Sequence, residues 1–329
     1  MFLSNYSIGG ARIQFKNPSR QTNVKPISNQ NKGAKTKGDK LVPVLPFRFL
    51  ILVLLMAFAA IGEAPAQADK ESLVQRALAN EVRAATESLH PMRYRLRKSS
   101  PRLTTTKEIC ETKDGAVALL VEINDKPLSP LDAQREQARL EALLSDPGKQ
   151  RHRKQSQDED TARALKMLRA LPAAFVYQYS GSGEGPTGKV EKFTFAPHPK
   201  FDPPDLETQA LVHMRGEIWI DPVRERVARL EGHLQQDVDF GWGILGRLYK
   251  GGSIAIEQAD VGDQQWRIVH FTMSMSGRVV FKTKVFDTTE DESQFVPVPA
   301  GLGYQQAIHL LREQQQTKAN SESRDFARR

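Results

Sequence analysis

Gln265-Trp-Arg-Ile-Val-His-Phe-Thr-Met-Ser-Met275 is the stretch on which the fold turns. Val269, Phe271, Met273 and Met275 recur at every second position, the period of a strand that turns one face inward. His270, Thr272 and Ser274 lie between them, and Arg267 falls in phase with the apolar set. In the next segment, Arg278 to Thr288, Phe281, Thr283 and Val285 alternate with Lys282, Lys284 and Phe286, giving one dry and one wet face. A turn is expected at Ser276-Gly277 between the two.

The same character extends upstream. Phe175 to Tyr179, Lys189 to Phe195, Ala210 to Ile220, Arg226 to Asp239 and Gly252 to Gln258 are short alternating or β-branched runs with turn residues between them. Nearer the N-terminus, Met92 to Lys98, Leu103 to Thr112 and Ala116 to Ile123 form a meander whose last turn is Asp114-Gly115. About ten antiparallel strands in one twisted sheet tend to curl. The expected fold class is therefore α+β, mainly β: an antiparallel, unclosed half β-barrel with helices over its concave face.

The helices are legible from a different period. Val74, Leu78, Val82, Ala85 and Leu89 mark one face of a helix over 70–89, with Glu71, Arg76, Arg83 and Glu87 off the stripe. His90-Pro91 ends it, because the residue before proline is pushed out of the helical region. A helical insertion occupies 127–172. Ser129-Pro130-Leu131-Asp132 opens its first helix, 130–145, and Asp146-Pro147-Gly148 closes it. The runs Arg151 to Lys154 and Asp158 to Asp160 are read as a solvated charged link to a second helix over 161–171. A last helix, 303–316, places Tyr304, Ile308 and Leu311 on one face before a polar tail, 317–329.

Charge and hydropathy bound what the chain can be. The 329 residues carry 47 Lys and Arg against 39 Asp and Glu. Nine of the basic residues (Arg12, Lys16, Arg20, Lys25, Lys32, Lys35, Lys37, Lys40 and Arg48) precede Asp69, against only Asp39 and Glu63, so the remainder is close to neutral. A nucleic-acid binder keeps its basic surface on the folded part, and no nucleic-acid partner is expected. Phe49 to Ile61 is unbroken apolar sequence after Arg48, and Ala66-Gln67-Ala68 has the small-x-small pattern of a signal-peptidase site. The run is shorter than the roughly 20 residues that a membrane-crossing helix needs. Residues 49–68 thus read as a signal peptide cleaved after Ala68, with an uncleaved anchor as the alternative, and the periplasm as destination. Residues 1–48 read as a disordered basic extension. Signal peptides begin close to their charged region, so translation starting near Leu41 to Val44 at a non-Met codon is the second reading of that segment.

Motifs that suggest chemistry fail on context. Gly183-Glu-Gly-Pro-Thr-Gly-Lys189 resembles a phosphate loop, but Val190 stands where a Ser or Thr would hold Mg2+ and a strand follows instead of a helix. Gly241-Trp-Gly-Ile-Leu-Gly246 fits GxGxxG without the parallel strand-helix-strand unit that gives it meaning. The seven histidines are scattered, and no GxSxG elbow is present. Acid pairs Glu225/Glu231 and Asp237/Asp239 sit where surface strands would carry them. Cys110 is the lone cysteine, so it has no intrachain partner, and it reads as a small core residue. The expectation is a non-enzyme, with no cofactor and no metal.

An export signal, an N-terminal amphipathic helix, and Gly216-Glu-Ile-Trp-Ile-Asp-Pro222 followed by Arg226-Val-Ala-Arg-Leu-Glu231 together resemble the periplasmic outer-membrane lipoprotein-carrier superfamily. The resemblance covers roughly residues 69 to 316 as architecture. It implies an unclosed barrel under a helical lid with an apolar cavity for acyl chains, whose partners are acyl or lipoprotein cargo, with peripheral membrane contact. The insertion at 127–172 departs from the usual carrier. The expected cavity residues are Ile218, Ile220, Phe240, Trp242, Val269, Phe271, Met273 and Met275. Flexible thioethers suit a surface that adapts to varied apolar ligands, although the same side chains could fill an ordinary core. An envelope sensor or protein-interaction module on the same fold, with an envelope protein as partner, and a hydrolase are the alternative functions.

Overall fold

The computed structural model describes residues 64–87, 90–240, 246–262, 265–279 and 282–327. Among the described residues thirteen strands form one antiparallel sheet: β1 (Met92–Ser99), β2 (Thr104–Cys110), β3 (Val117–Ile123), β4 (Lys126–Pro127), β5 (Phe175–Gly185), β6 (Gly188–Pro197), β7 (Met214–Asp221), β8 (Arg226–Leu234), β9 (Val238–Phe240), β10 (Gly246–Leu248), β11 (Ser253–Asp260), β12 (Trp266–Val279) and β13 (Lys282–Pro297). Their order is β4-β3-β2-β1-β13-β12-β11-β8-β7-β6-β5, with β9 and β10 continuing the neighbour position beyond β11 along β12. The end strands β4 and β5 do not pair with each other, so the sheet stays open as a half-barrel. The helices among the described residues are α1 (Ala64–Thr86), α2 (Pro130–Ser145), α3 (Pro147–Ala174) and α4 (Tyr304–Ala327), with a 3-10 turn at Glu207–His213. The expected fold class is borne out.

Several boundaries moved, each for a physical reason. Ser276-Gly277 is not a turn: β12 runs on to Val279, and Met275 pairs with Phe286 and Ser276 with Val285. A glycine is needed at 277 for space, because a Cβ there would lie 2.6 Å from the Arg247 carbonyl oxygen. The assignment of faces in β13 reverses with it. Val285 is 70% exposed, and Phe286 is the residue that shares a face with Met275. The segment expected as a strand from Ala210 begins instead as the 3-10 turn.

The larger correction is at 146–174. Asp146-Pro147-Gly148 ends α2 and also begins α3, with the Asp146 carboxylate accepting from Gly148 N at 2.9 Å and Pro147 in the first turn. The charged runs read as a loop are therefore helical. Lys154 meets Asp158 four residues on at 2.7 Å, and Gln155 meets Glu159 at 3.1 Å, which is the spacing that stabilises a polar helix. At about 1.5 Å per residue the 28-residue helix is about 42 Å long. Its first turns hold the β2–β3 hairpin, through Gln150 on Asp114 O (3.0 Å) and Gln157 on Ala116 N (2.9 Å) and O (3.2 Å). Its last turns pack Met167, Leu168 and Leu171 beside Phe175 and Tyr177. One helix thus straps the β3 side of the open sheet to the β5 side.

Two smaller features complete the frame. Glu136 of α2 accepts from Leu120 N at 2.8 Å and Arg139 donates to Ala118 O, so α2 covers the backbone of β3 and blunts a sheet edge. On the outer face of β2 and β3, Leu140 and Leu143 of α2 and Ala307, Ile308 and Leu311 of α4 bury Cys110, Val117 and Leu119. Cys110 has no exposed surface, and burial pushes its thiol up to about 11, as expected of a core residue. Among the described residues no helix is long and apolar enough to cross a membrane.

Candidate functional site: the inner face of the sheet

Register fixes which side chains share the inner face. A row runs across the sheet through Phe193, Ile218, Leu230, Ile256, Phe271, Glu290 and Lys98, each opposite the next. The adjacent row is Tyr177, Phe195, Gly216, Gly232, Ile254, Met273 and Thr288. Two glycines face each other in its middle. A Cβ on Gly216 would fall 1.8 Å from Glu231 O and 2.8 Å from the Phe195 ring, so the ring lies over bare backbone. Only glycine leaves room there for the Glu231 carbonyl and the aromatic ring together.

The lid over one end of this face is α1. Leu73, Val74, Ala77 and Leu78 pack against Phe175, Tyr177, Phe193, Phe195, Ile218 and Ile220. The buried stripe is 73/74/77/78/81, turned slightly from the expected one: Val82 and Ala85 are only half-buried, and Leu89 lies outside the described residues. Its fifth member is a carboxylate. Glu81 is 1% exposed and accepts from Arg226 Nε (2.8 Å) and Nη2 (3.0 Å) and from Val227 N (3.0 Å). This bidentate pair clamps the lid to the start of β8.

Burial then changes along the row. Phe193 and Ile218 have no exposed surface beneath α1, and Phe271 is 3% exposed. Leu230, Ile254, Ile256, Met273, Met275 and Phe286 are only half-buried. Apolar side chains are thus sealed at the β5–β7 end and, Phe271 excepted, half-buried from β8 to β13.

At the far end the face turns acidic. Glu290 is paired to Lys98 at 2.7 Å. Burial, then the Glu290 and Glu111 carboxylates, push Glu292 up to about 8, so it holds a proton at neutral pH. Burial, then Glu292 and Glu111, also raises the Tyr94 hydroxyl. Arg267 donates to His90 O (2.6 Å) and lies 3.3 Å from Glu111, whose Oε2 accepts from Met92 N. The alternating positions Glu290 and Glu292, in phase with Phe286, were a signal that the misplaced turn concealed.

Of the expected cavity residues, Ile218, Ile220, Phe271, Met273 and Met275 share the inner face, and Phe240, paired with Gly246 and through it with Val279, continues that phase on β9. Ile220 and Ile218 are sealed under α1, so they form the floor of the lid and not an open surface. Val269 is the extra residue of a bulge, where Glu257 pairs with His270 and Gln258 with Ile268, and it is half-buried. Trp242 lies outside the described residues, as does the rest of the loop 241–245. The acid pairs are spent on arginines: Glu225 on Arg76, Glu231 on Arg229, and Asp237 and Asp239 on Arg247. Gly185 and Gly188 pair across a two-residue β5–β6 turn, which disposes of the phosphate-loop match. Among the described residues no three His, Cys, Asp or Glu side chains are grouped to hold a metal ion.

No family model matches the sequence, and no curated protein does. A solved structure described as a "putative outer membrane lipoprotein-sorting protein domain" from Vibrio parahaemolyticus aligns over 69% of this chain and 93% of its own, at 11% identity and a TM-score of 0.29. That score is too low to establish a common fold. The protein is defined by its own geometry: an open antiparallel half-barrel, strapped and lidded by helices, with an apolar inner face that is sealed under α1 and in part half-buried beyond it.

Proposed function

We propose that this protein is a non-catalytic carrier or binding protein of the periplasm that holds a lipid or lipoprotein acyl chain on the inner face of its half-barrel. The observation that carries the reading is the cluster of half-buried apolar side chains on that face, Leu230, Ile254, Ile256, Met273, Met275 and Phe286, set around the buried Phe271 and beside Phe193 and Ile218, which the lid seals. Apolar surface left partly open beside a lid is stabilised by covering it, and each CH2 removed from water contributes about 0.8 kcal/mol. Two methionines in the open part accommodate chains of different shape. Phe240 would border the same region.

Met273→Asp separates this reading from ordinary core packing. On a face reached by water the new carboxylate is solvated, so a fluorescent fatty-acid probe should lose binding while the protein still melts cooperatively, within about 1 kcal/mol of wild type. In a closed core the charge would be unpaired and cost several kcal/mol. A Met273→Asp protein that retains full probe affinity would contradict the assignment.

A further inference from the structure

His152 and Arg153, from the Arg151 to Lys154 run that the structure places on α3, line a cleft away from the half-buried apolar side chains of β8 to β13. Between α2 and α3 lies a hollow of about 450 Å3 bounded by Arg139, Ala142, Leu143, Lys149, His152 and Arg153. Two of its acidic neighbours are already engaged. Glu136 holds Arg139 at 2.7 Å and Leu120 N at 2.8 Å, and Asp146 caps Gly148 N at 2.9 Å, leaving it 4.0 Å from Lys149. Arg153 is different. Among the described residues its Nε, shut off from solvent, has no hydrogen-bond partner and its guanidinium makes no ion pair. Burial, then Arg139, pulls its affinity for a proton down, and burial, then Lys98 and Arg139, does the same to Lys107 nearby. Half-buried cations in excess of their acids are costly unless an anion completes them.

We propose that this cleft binds a phosphate group, with Arg153 as its principal ligand and Lys149 and His152 at the mouth. The planar guanidinium fork matches two phosphate oxygens, and the alkyl stems of the arginines with Ala142 and Leu143 leave room for an apolar attachment. Such a group reaches the protein either as a phospholipid headgroup or as free phosphate. The site is separate from the acyl-chain reading and stands or falls without it.

The test uses the folded chain and two probes: calorimetric titration with inorganic phosphate, and co-sedimentation with vesicles of phosphatidylglycerol and phosphatidylcholine against phosphatidylcholine alone, at constant ionic strength. At least one probe should bind, with affinity falling at least about tenfold in Arg153→Met and unchanged in Arg163→Met, whose parent pairs with Asp160 outside the cleft. Arg153→Met should melt at or above the wild-type temperature, since the arginine makes no bond to lose. Lys149→Met, on the exposed rim, carries the same binding prediction if Arg153→Met fails to fold. Phosphate that binds and displaces the vesicles identifies free phosphate; vesicle binding that phosphate leaves intact identifies the headgroup. The proposal is overturned if neither probe binds, or if Arg163→Met weakens binding as much as the cleft variants do, which is the behaviour of diffuse surface charge.

Discussion

Glu81→Ala should release the lid. In the native chain one carboxylate serves Arg226 Nε and Nη2 and the Val227 amide, at 2.8 to 3.0 Å, and both Glu81 and the Arg226 side chain, 17% exposed, are largely out of water. Truncation leaves a guanidinium and an amide N–H with no acceptor. Breaking a buried pair from one side costs about 3–5 kcal/mol, of which an orphaned amide alone accounts for about 1–3 kcal/mol. The double variant Glu81→Leu with Arg226→Met replaces both charges by apolar side chains and should return to within about 1–2 kcal/mol of wild type. Urea unfolding followed by circular dichroism gives the global value. Trp266, with the Arg226 guanidinium carbon 5.7 Å from its ring centre, gives a local fluorescence signal for the clamp. A Glu81→Ala protein destabilised by less than about 1 kcal/mol, or a double variant as weak as the single, would refute the clamp.

Two further outcomes follow from the same geometry. Gly216→Ala should cost at least about 3 kcal/mol or abolish folding, because the added carbon collides with the Glu231 carbonyl oxygen, which is backbone and cannot swing aside; thermal melts showing a loss under about 1 kcal/mol would contradict that close approach. Glu292 takes its proton below about pH 8 when folded but only below about 4.5 when unfolded, so its contribution is fullest below 4.5 and is lost as pH rises to about 8. Wild-type stability should therefore fall across pH 5 to 8 more steeply than that of Glu292→Gln, and parallel curves would contradict the raised value.

The strands were legible because one face is dry. The period of two at Phe271, Met273 and Met275 survives in the structure, and so does the hairpin at Asp114-Gly115, where Gly115 takes a φ of 93°. What misled was local chemistry with two uses. Ser276-Gly277 has turn composition, but the glycine is there to let Arg247 O approach, which only the β10 pairing reveals. The charged segment 151–160 has no apolar stripe, and its helix is held by pairs four residues apart and by glutamines reaching a hairpin some 40 residues earlier in sequence. Glu81 falls in step with the apolar stripe of α1, but its partner Arg226 is 145 residues away. Of the candidate site, the side chains sharing the face were readable from period; which of them α1 seals was not, because that depends on tertiary packing.

The central claim concerns the half-open apolar face between β8 and β13, and native mass spectrometry of the protein purified from the cell envelope without detergent tests it most directly. A mature chain beginning at Asp69 should carry a co-purifying acyl species, released when Met273→Asp is introduced. A clean apo mass, together with no binding of fatty-acid probes of any chain length, would contradict it.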